Sequence, residues 1–311
     1  MQAITIDKLG VDSKFILQDV QQPALPAGQV LVNIKAFSIN PMDVAAKLGM
    51  LGSPFTDNWS YPLILGWDMA GVVAAVGAGV TTFKVGDRVF GGLPSDHAGN
   101  NGSYAEYCVA PLDELAHTPT DLSDAQAAAL PIAGMTAYQA ITKSLNVQSG
   151  EKILIQGGAG GVGSLAVQLA KLRGAYVATT AGPAHTQLLT DLGADQVIDY
   201  HQVTPSDVLH DFDGVFDTVG DIDGGLATLQ TNGRLITVAA QPTPEELAAP
   251  QQVAFQFTQG TGAMLEALGK LVAEGQVKQS IETLPFSAES VTTAQNRVAG
   301  RHTTGKLVIT L

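Results

Sequence analysis

The feature that most constrains this chain is a glycine loop, Gly157-Gly-Ala-Gly-Gly-Val-Gly163, set between Ile153-Leu-Ile-Gln156 and Ser164-Leu-Ala-Val-Gln-Leu-Ala-Lys171. The first flank is an apolar run of strand length, and the second carries apolar residues at helical spacing. Residues 158–163 fit the pattern G-x-G-x-x-G. Glycine permits a tight strand-to-helix turn and lets the backbone come close to a bound anion. A helix that starts there offers unpaired N–H groups and the positive end of its dipole. A bare motif of this kind fits a flexible turn equally well. Here the strand before it, the helix after it and the further strand–helix units downstream make it a dinucleotide-binding loop. Gly158, Gly160, Gly161 and Val162 are its candidates for holding the diphosphate.

Around this loop the chain has two characters. The first hundred residues read as short strands and turns, with strands at 30–35, 71–77, 88–90 and 103–109 and an exposed loop at 93–103. Ser123-Asp-Ala-Gln126 is a capping-box pattern that opens an Ala-rich helix, interrupted at Pro131 and resumed to about residue 143. Strands are then expected at 152–156, 176–180, 196–198, 215–217 and 234–238, alternating with helices at 164–173 and 184–192. Such alternation implies parallel strands with right-handed crossovers, hence an α/β fold with a doubly wound parallel sheet. Two more helices, 262–274 and 287–299, precede a closing strand at 306–311.

Composition removes other classes. The chain has 311 residues, 45% hydrophobic and 14% charged, which excludes a disordered protein. Its formal net charge of −13 argues against nucleic acid or an anionic membrane surface as a partner. One cysteine, Cys108, allows neither an internal disulfide nor a multi-Cys zinc module. No apolar run approaches the length of a membrane span, and the N-terminus lacks the pattern of a signal peptide. A cytoplasmic location is the expectation.

Several short motifs then follow one another in a fixed order: Asn40-Pro-Met-Asp43, Leu65-Gly-Trp-Asp-Met-Ala-Gly71, Gly86-Asp-Arg-Val89, Gly102-Ser-Tyr-Ala-Glu-Tyr107, Leu130-Pro-Ile-Ala-Gly-Met-Thr-Ala-Tyr138, the glycine loop, Asp217-Thr-Val-Gly220 and Gly305-Lys-Leu-Val308. In that order and spacing the chain resembles the medium-chain dehydrogenases/reductases, in their zinc-independent quinone oxidoreductase branch. The resemblance implies a Rossmann domain, 121–284, inserted into a GroES-like irregular β-barrel domain, 1–120, that residues 285–311 complete. It also implies a homodimer. Zinc-dependent members carry a Cys near the position of Asn40 and Gly-His-Glu where Gly66-Trp67-Asp68 stands. A catalytic zinc needs about three protein ligands, and Asp68 alone does not supply them, so no zinc is expected. Without a Lewis acid to lower an alcohol's pKa, reduction of an already activated double bond is the chemistry left.

The expected cofactor is NADPH, with NADH as the alternative. No acidic residue closes the second strand of the dinucleotide unit, so nothing there repels a 2′-phosphate. No Lys or Arg occurs between Arg173 and Arg234, so the phosphate would fall to Thr180, backbone near Gly182, His185 or Tyr200, or to a cation from elsewhere in the chain. His185 fits a solvated helix position equally well. The resemblance places Thr136 at the nicotinamide end and Asn40 near nicotinamide and substrate. Asn40 with Pro41 and Asp43 also makes a good helix start, and both roles can coexist. Val219, Gly220, Ala239 and Ala240 end the fourth and fifth strands, where ribose and nicotinamide lie in this fold. Tyr61, Trp67 and Tyr104 are candidates for an apolar substrate pocket. The expected substrate is a small quinone or enone. The competing readings are an enoyl-thioester reductase and a non-catalytic protein that binds NADPH as a structural or sensing ligand.

Overall fold

A computed structural model describes every residue except Pro54, Ser95 and Ala98, so two positions of the loop expected at 93–103 lie outside the described residues. In chain order the strands are β1 (Gln2–Ile6), β2 (Ile16–Asp19), β3 (Gln29–Ser38), β4 (Leu63–Ile64), β5 (Asp68–Val76), β6 (Arg88–Gly92), β7 (Tyr107–Pro111), β8 (Leu115–His117), β9 (Lys152–Gln156), β10 (Tyr176–Ala181), β11 (Gln196–Asp199), β12 (Phe212–Asp217), β13 (Leu229–Thr237), β14 (Gln252–Phe255), β15 (Ile281–Pro285) and β16 (Lys306–Thr310).

The chain divides into two compact units. Met1–Ala133, Gly260–Gln276 and Ser280–Leu311 form the first, and Gly134–Gln259 with Val277–Gln279 form the second. These bounds differ from the expected 1–120 with 285–311 and 121–284. Residues 121–133 and 260–276 fall in the first unit because small residues let their helices pack closely there, and 280–284 because β15 pairs with β16. The helix Asp124–Ala128 lays the fully buried Ala127 and Ala128 toward β3 and β5. The helix Gly262–Ala273 comes so near β8 that a Cβ on Gly262 would stand 2.3 Å from the Leu115 carbonyl oxygen.

In the first unit, β3 is the organising strand. One edge pairs antiparallel with β5. The other pairs with β7 along Gln29–Asn33 and then with β16 along Ala36–Ser38, so the last strand of the chain completes the sheet begun by the first hundred residues. The path runs β15-β16-β3-β5-β6-β8, and a three-stranded sheet runs β2-β1-β4. Val30, Val32 and Ile34 are buried, as their alternation predicts, and Leu31 on the opposite face is buried too. The strand expected at 103–109 starts only at Tyr107. Ser103 and Tyr104 instead donate their N–H groups to the carbonyls of Gly66 and Leu65, both at 3.0 Å. The 93–103 loop is less exposed than its polar composition suggests, since His97 and Ser103 are buried.

The second unit is a six-stranded parallel sheet in the order β11-β10-β9-β12-β13-β14. Numbered within the unit this is 3-2-1-4-5-6, the doubly wound dinucleotide-binding order. The sequence foretells the first five of these strands. β14 is not among them: it is only four residues long, with Gln252 and Ala254 exposed. In this topology ligands bind at the carboxyl ends of the strands, where the order reverses between β9 and β12.

Candidate active site

At that switch point β9 ends in the glycine loop. Gly157 adopts φ +81°, and a Cβ there would stand 2.7 Å from side-chain atoms of Thr218 and Val219. Its N–H donates to Thr180 Oγ1 at 2.9 Å, and that of Gly158 donates to the Thr180 carbonyl at 3.0 Å. The Gly160 N–H turns back on the Gly157 carbonyl at 3.3 Å. The helix Gly161–Leu172 then begins with Gly160 at its N-cap, which has no side chain to cap it. The first-turn amides, on Gly161, Val162 and Gly163, have no intrahelical carbonyl within reach. A Cβ on Gly163 would lie 2.2 Å from the Gly157 carbonyl oxygen, whereas one on Gly160 meets nothing nearer than 3.6 Å. Of the four positions expected to hold a diphosphate, Gly158 and Gly160 therefore spend their amides shaping the loop, and Gly161 and Val162 keep theirs. Thr180, expected at the phosphate, ties the loop to β10.

The ends of β12 and β13 are held by a residue that carried no role in the sequence reading. Asp217 is fully buried. Its Oδ1 accepts from the N–H groups of Val219 (2.9 Å), Gly220 (2.8 Å) and Asp221 (3.3 Å), and its Oδ2 accepts from Thr237 Oγ1 (2.7 Å). Thr237 Oγ1 in turn accepts from the N–H groups of Ala239 (3.2 Å) and Ala240 (3.4 Å). One carboxylate thus fixes both candidate turns. They meet: a Cβ on Gly220, which has φ +90°, would stand 3.5 Å from the Ala240 Cβ. The signal available in the sequence was an Asp closing an apolar strand, since a buried acid is rarely tolerated unpaired.

The remaining candidates of this unit lie around it. The Thr136 hydroxyl is 2.9 Å from that of Thr258, and its carbonyl accepts from Gln256 Nε2 at 3.0 Å. Gly182 follows β10 and leads into a short turn, with the His185 N–H on the Gly182 carbonyl at 3.0 Å. Tyr200 stacks on the ring of His201, with centroids 4.2 Å apart. His201 was not among the expected residues, because no motif includes it.

In the first unit Asn40 belongs to a buried ion cluster. Its Nδ2 donates to Asp68 Oδ2 at 2.8 Å, and its Oδ1 accepts from Lys306 Nζ at 2.5 Å. Ser38 Oγ also donates to Asp68 Oδ2 at 2.5 Å, and the Ile132 N–H donates to Oδ1 at 2.8 Å. Lys306 Nζ donates further to the Ile39 carbonyl at 2.9 Å and lies 3.7 Å from Asp68. Asp43 opens the helix Pro41–Leu48 and accepts from the Asn40 N–H at 2.5 Å, as the helix-start pattern predicts. Two carboxyls thus share one buried ammonium. Burial, reinforced by the charge of Asp68, pushes the Asp43 carboxyl up to about 8. Burial likewise lowers Lys306 despite its acidic neighbours. The expected pocket residues differ in burial. Tyr104 is fully buried, stacked on Phe37 with centroids 4.8 Å apart, and Trp67 is buried beside His97. Tyr61 is half exposed. Cys108 is buried, and burial pushes its thiol up to about 12, the behaviour of an inert strand cysteine.

Sheet order, glycine loop and uncapped helix together define a dinucleotide-binding unit of the doubly wound class. The alcohol dehydrogenase GroES-like domain family matches residues 26–120, and the zinc-binding dehydrogenase family matches residues 192–309. The chain is 36% identical to a 2-methylene-furan-3-one reductase of Solanum lycopersicum over 98% of its own length and 76% of the relative's. It is 33% identical to a chloroplastic NADPH-dependent alkenal/one oxidoreductase of Arabidopsis thaliana, over 96% and 76%. Among solved structures, the quinone oxidoreductase of Coxiella burnetii superposes with a TM-score of 0.91 at 32% identity, covering 100% and 99% of the two chains. The Escherichia coli quinone oxidoreductase complexed with NADPH gives 0.85 at 26%, covering both chains fully. The chain belongs to the medium-chain dehydrogenase/reductase superfamily, among its quinone oxidoreductases and alkenal/one reductases.

One of these family descriptions raises a zinc ion. Where a zinc-binding member would offer thiolate and imidazole, this chain has the Asn40 amide and the Trp67 indole. The Asp68 carboxylate is already filled by Ser38, Asn40 and the Ile132 N–H, and a dication beside it would face the buried Lys306 ammonium. These residues do not fit a zinc ion. Among the described residues, no three His, Cys, Asp or Glu are grouped to hold a metal elsewhere.

Proposed function

We propose that this chain is an NADPH-dependent reductase that delivers hydride to a quinone or to the β-carbon of an α,β-unsaturated carbonyl, without a metal. The observation that carries the reading is the coenzyme cradle: a glycine loop too tight for any Cβ at Gly163, ending in helix amides left open at Gly161 and Val162. Relatives that reduce alkenals, alkenones and quinones support the acceptor class. When bound, NADPH supplies two electrons and one proton together as hydride, and a second proton from water completes the reduction.

The chain's own residues bind and orient. Gly161 and Val162 hold the diphosphate, and Asp217 with Thr237 stiffens the turns that receive the ribose and nicotinamide. The Thr136 hydroxyl, paired with Thr258, stands toward the nicotinamide end. Lys306 and Asp68 pin the Asn40 amide, and this reading gives its second N–H to the acceptor's oxygen. The same reading takes the working form as a cytoplasmic homodimer with neither nucleic acid nor membrane as partner. Light scattering on the eluting protein tests the dimer.

The deciding experiment follows NADPH and NADH oxidation against a panel of quinones, enals, enones and a crotonyl thioester, with a control lacking acceptor. Turnover of enones or quinones above the thioester is expected. Tight NADPH binding without turnover of any acceptor refutes the enzyme reading in favour of a sensing or structural role. Preference for the thioester makes the chain an enoyl-thioester reductase.

A further inference from the structure

The stretch between Arg173 and Arg234 has nine aspartates and neither lysine nor arginine, yet the proposed coenzyme carries a dianionic phosphate on the ribose next to the end of β10. The structure puts a histidine there. The His201 ring lies against Gly182, immediately after β10, with Cε1 3.5 Å from the point where a Cβ of residue 182 would stand. The ring is oriented from two sides. Tyr200 stacks on it at 4.2 Å and 30°. Asp199 Oδ1, at the end of β11, lies 3.1 Å from His201 Nδ1 and also accepts the His201 backbone N–H at 3.1 Å.

That carboxylate is consumed. Besides His201 it accepts from Gln202 Nε2 at 2.7 Å. Burial alone would raise its pKa, but these bonds hold Asp199 below the usual carboxylate range. With Asp199 engaged at Nδ1, Nε2 is the ring's remaining polar atom, on a side chain that keeps over half its surface in solvent. An acid at this strand end would otherwise repel a phosphate. Here both of its oxygens are occupied, Oδ1 by His201 and Oδ2 by Gln202.

We propose that His201, oriented by Asp199 and Tyr200, is the residue that selects the 2′-phosphate of NADPH over the free 2′-hydroxyl of NADH. This rests on the reading that the glycine loop holds a nicotinamide dinucleotide. Gly182 contributes by absence, since a side chain there would crowd the imidazole.

The test measures dissociation constants of NADPH and NADH by nicotinamide fluorescence, with adenosine 2′,5′-bisphosphate and adenosine 5′-monophosphate as competing fragments. His201→Leu is expected to weaken NADPH and the bisphosphate at least tenfold while NADH and the monophosphate stay within twofold. His201→Lys should return NADPH to within threefold of the unaltered protein. An unchanged ratio of NADPH to NADH affinity in His201→Leu, or an equal loss of both, overturns the assignment alone. Binding of neither coenzyme by the unaltered protein overturns the cradle reading as well.

Discussion

Two alanine substitutions in the glycine loop separate what the loop does for the fold from what it does for the coenzyme. At Gly163 an added Cβ would sit 2.2 Å from the Gly157 carbonyl oxygen and 2.9 Å from the Gly158 Cα, both backbone atoms. Relieving that overlap moves the loop by about 1 Å against the sheet, and overpacking of this kind costs about 1–3 kcal/mol. Gly163→Ala should therefore lower Tm by about 2–5 °C and weaken NADPH binding as well. At Gly160 the same methyl meets nothing nearer than 3.6 Å, and φ −73° suits alanine. The loss of a glycine N-cap and the gain from a stiffer unfolded chain nearly cancel, so stability should stay within about 0.5 kcal/mol. The methyl nonetheless fills the space over which the diphosphate must lie. Losing one charge-assisted hydrogen bond costs about 1.5–3 kcal/mol, or about 10–100-fold in Kd. Calorimetric melting and fluorescence titration of both variants make the comparison. If Gly160→Ala binds NADPH as tightly as the unaltered protein, the diphosphate does not rest on this loop.

Further outcomes follow from the buried polar groups. Thr237→Val removes the hydroxyl that bridges Asp217 to the Ala239 and Ala240 amides; urea unfolding should show a loss of about 1.5–3 kcal/mol, and NADPH should bind more weakly. Lys306→Met leaves two buried carboxyls without their cation and should cost about 3–5 kcal/mol, part of which Asp68→Asn in the same chain should restore. Asp43 holds its proton to about pH 8 when folded but ionises near 3.8 when unfolded. Its contribution is therefore complete below about pH 4, declines at up to about 1.4 kcal/mol per pH unit, and is gone above about pH 8. Urea midpoints across that range should fall more steeply for the unaltered chain than for Asp43→Asn. Prolonged dialysis against a strong chelator should leave enone or quinone reduction intact; a loss that Zn²⁺ reverses would show that the amide and indole at Asn40 and Trp67 were misjudged.

The coenzyme half of the molecule is legible in the sequence because its determinants are contiguous. Seven residues contain the turn, the close approach of Gly163 and the open helix end, and strand–helix alternation supplies the parallel order around them. Legibility fades where partners are distant along the chain. Asp217 and Thr237 are 20 positions apart and cooperate only because β12 and β13 are neighbours. Lys306 is 266 residues from Asn40, and in sequence it reads as the wet end of an apolar strand. Folding instead buries it, because β16 returns beside β3 and brings the ammonium to Asp68. The compact units divide at other residues than the expected bounds for a related reason: Ala127, Ala128 and Gly262 look unremarkable until the strands they press against are known. A loop that binds a coenzyme can be specified by local backbone freedom alone. A site for the acceptor depends on which charges and rings the fold brings together, and charges such as those of Asp43, Asp68 and Lys306 acquire their meaning only after burial has decided which of them can stay ionised.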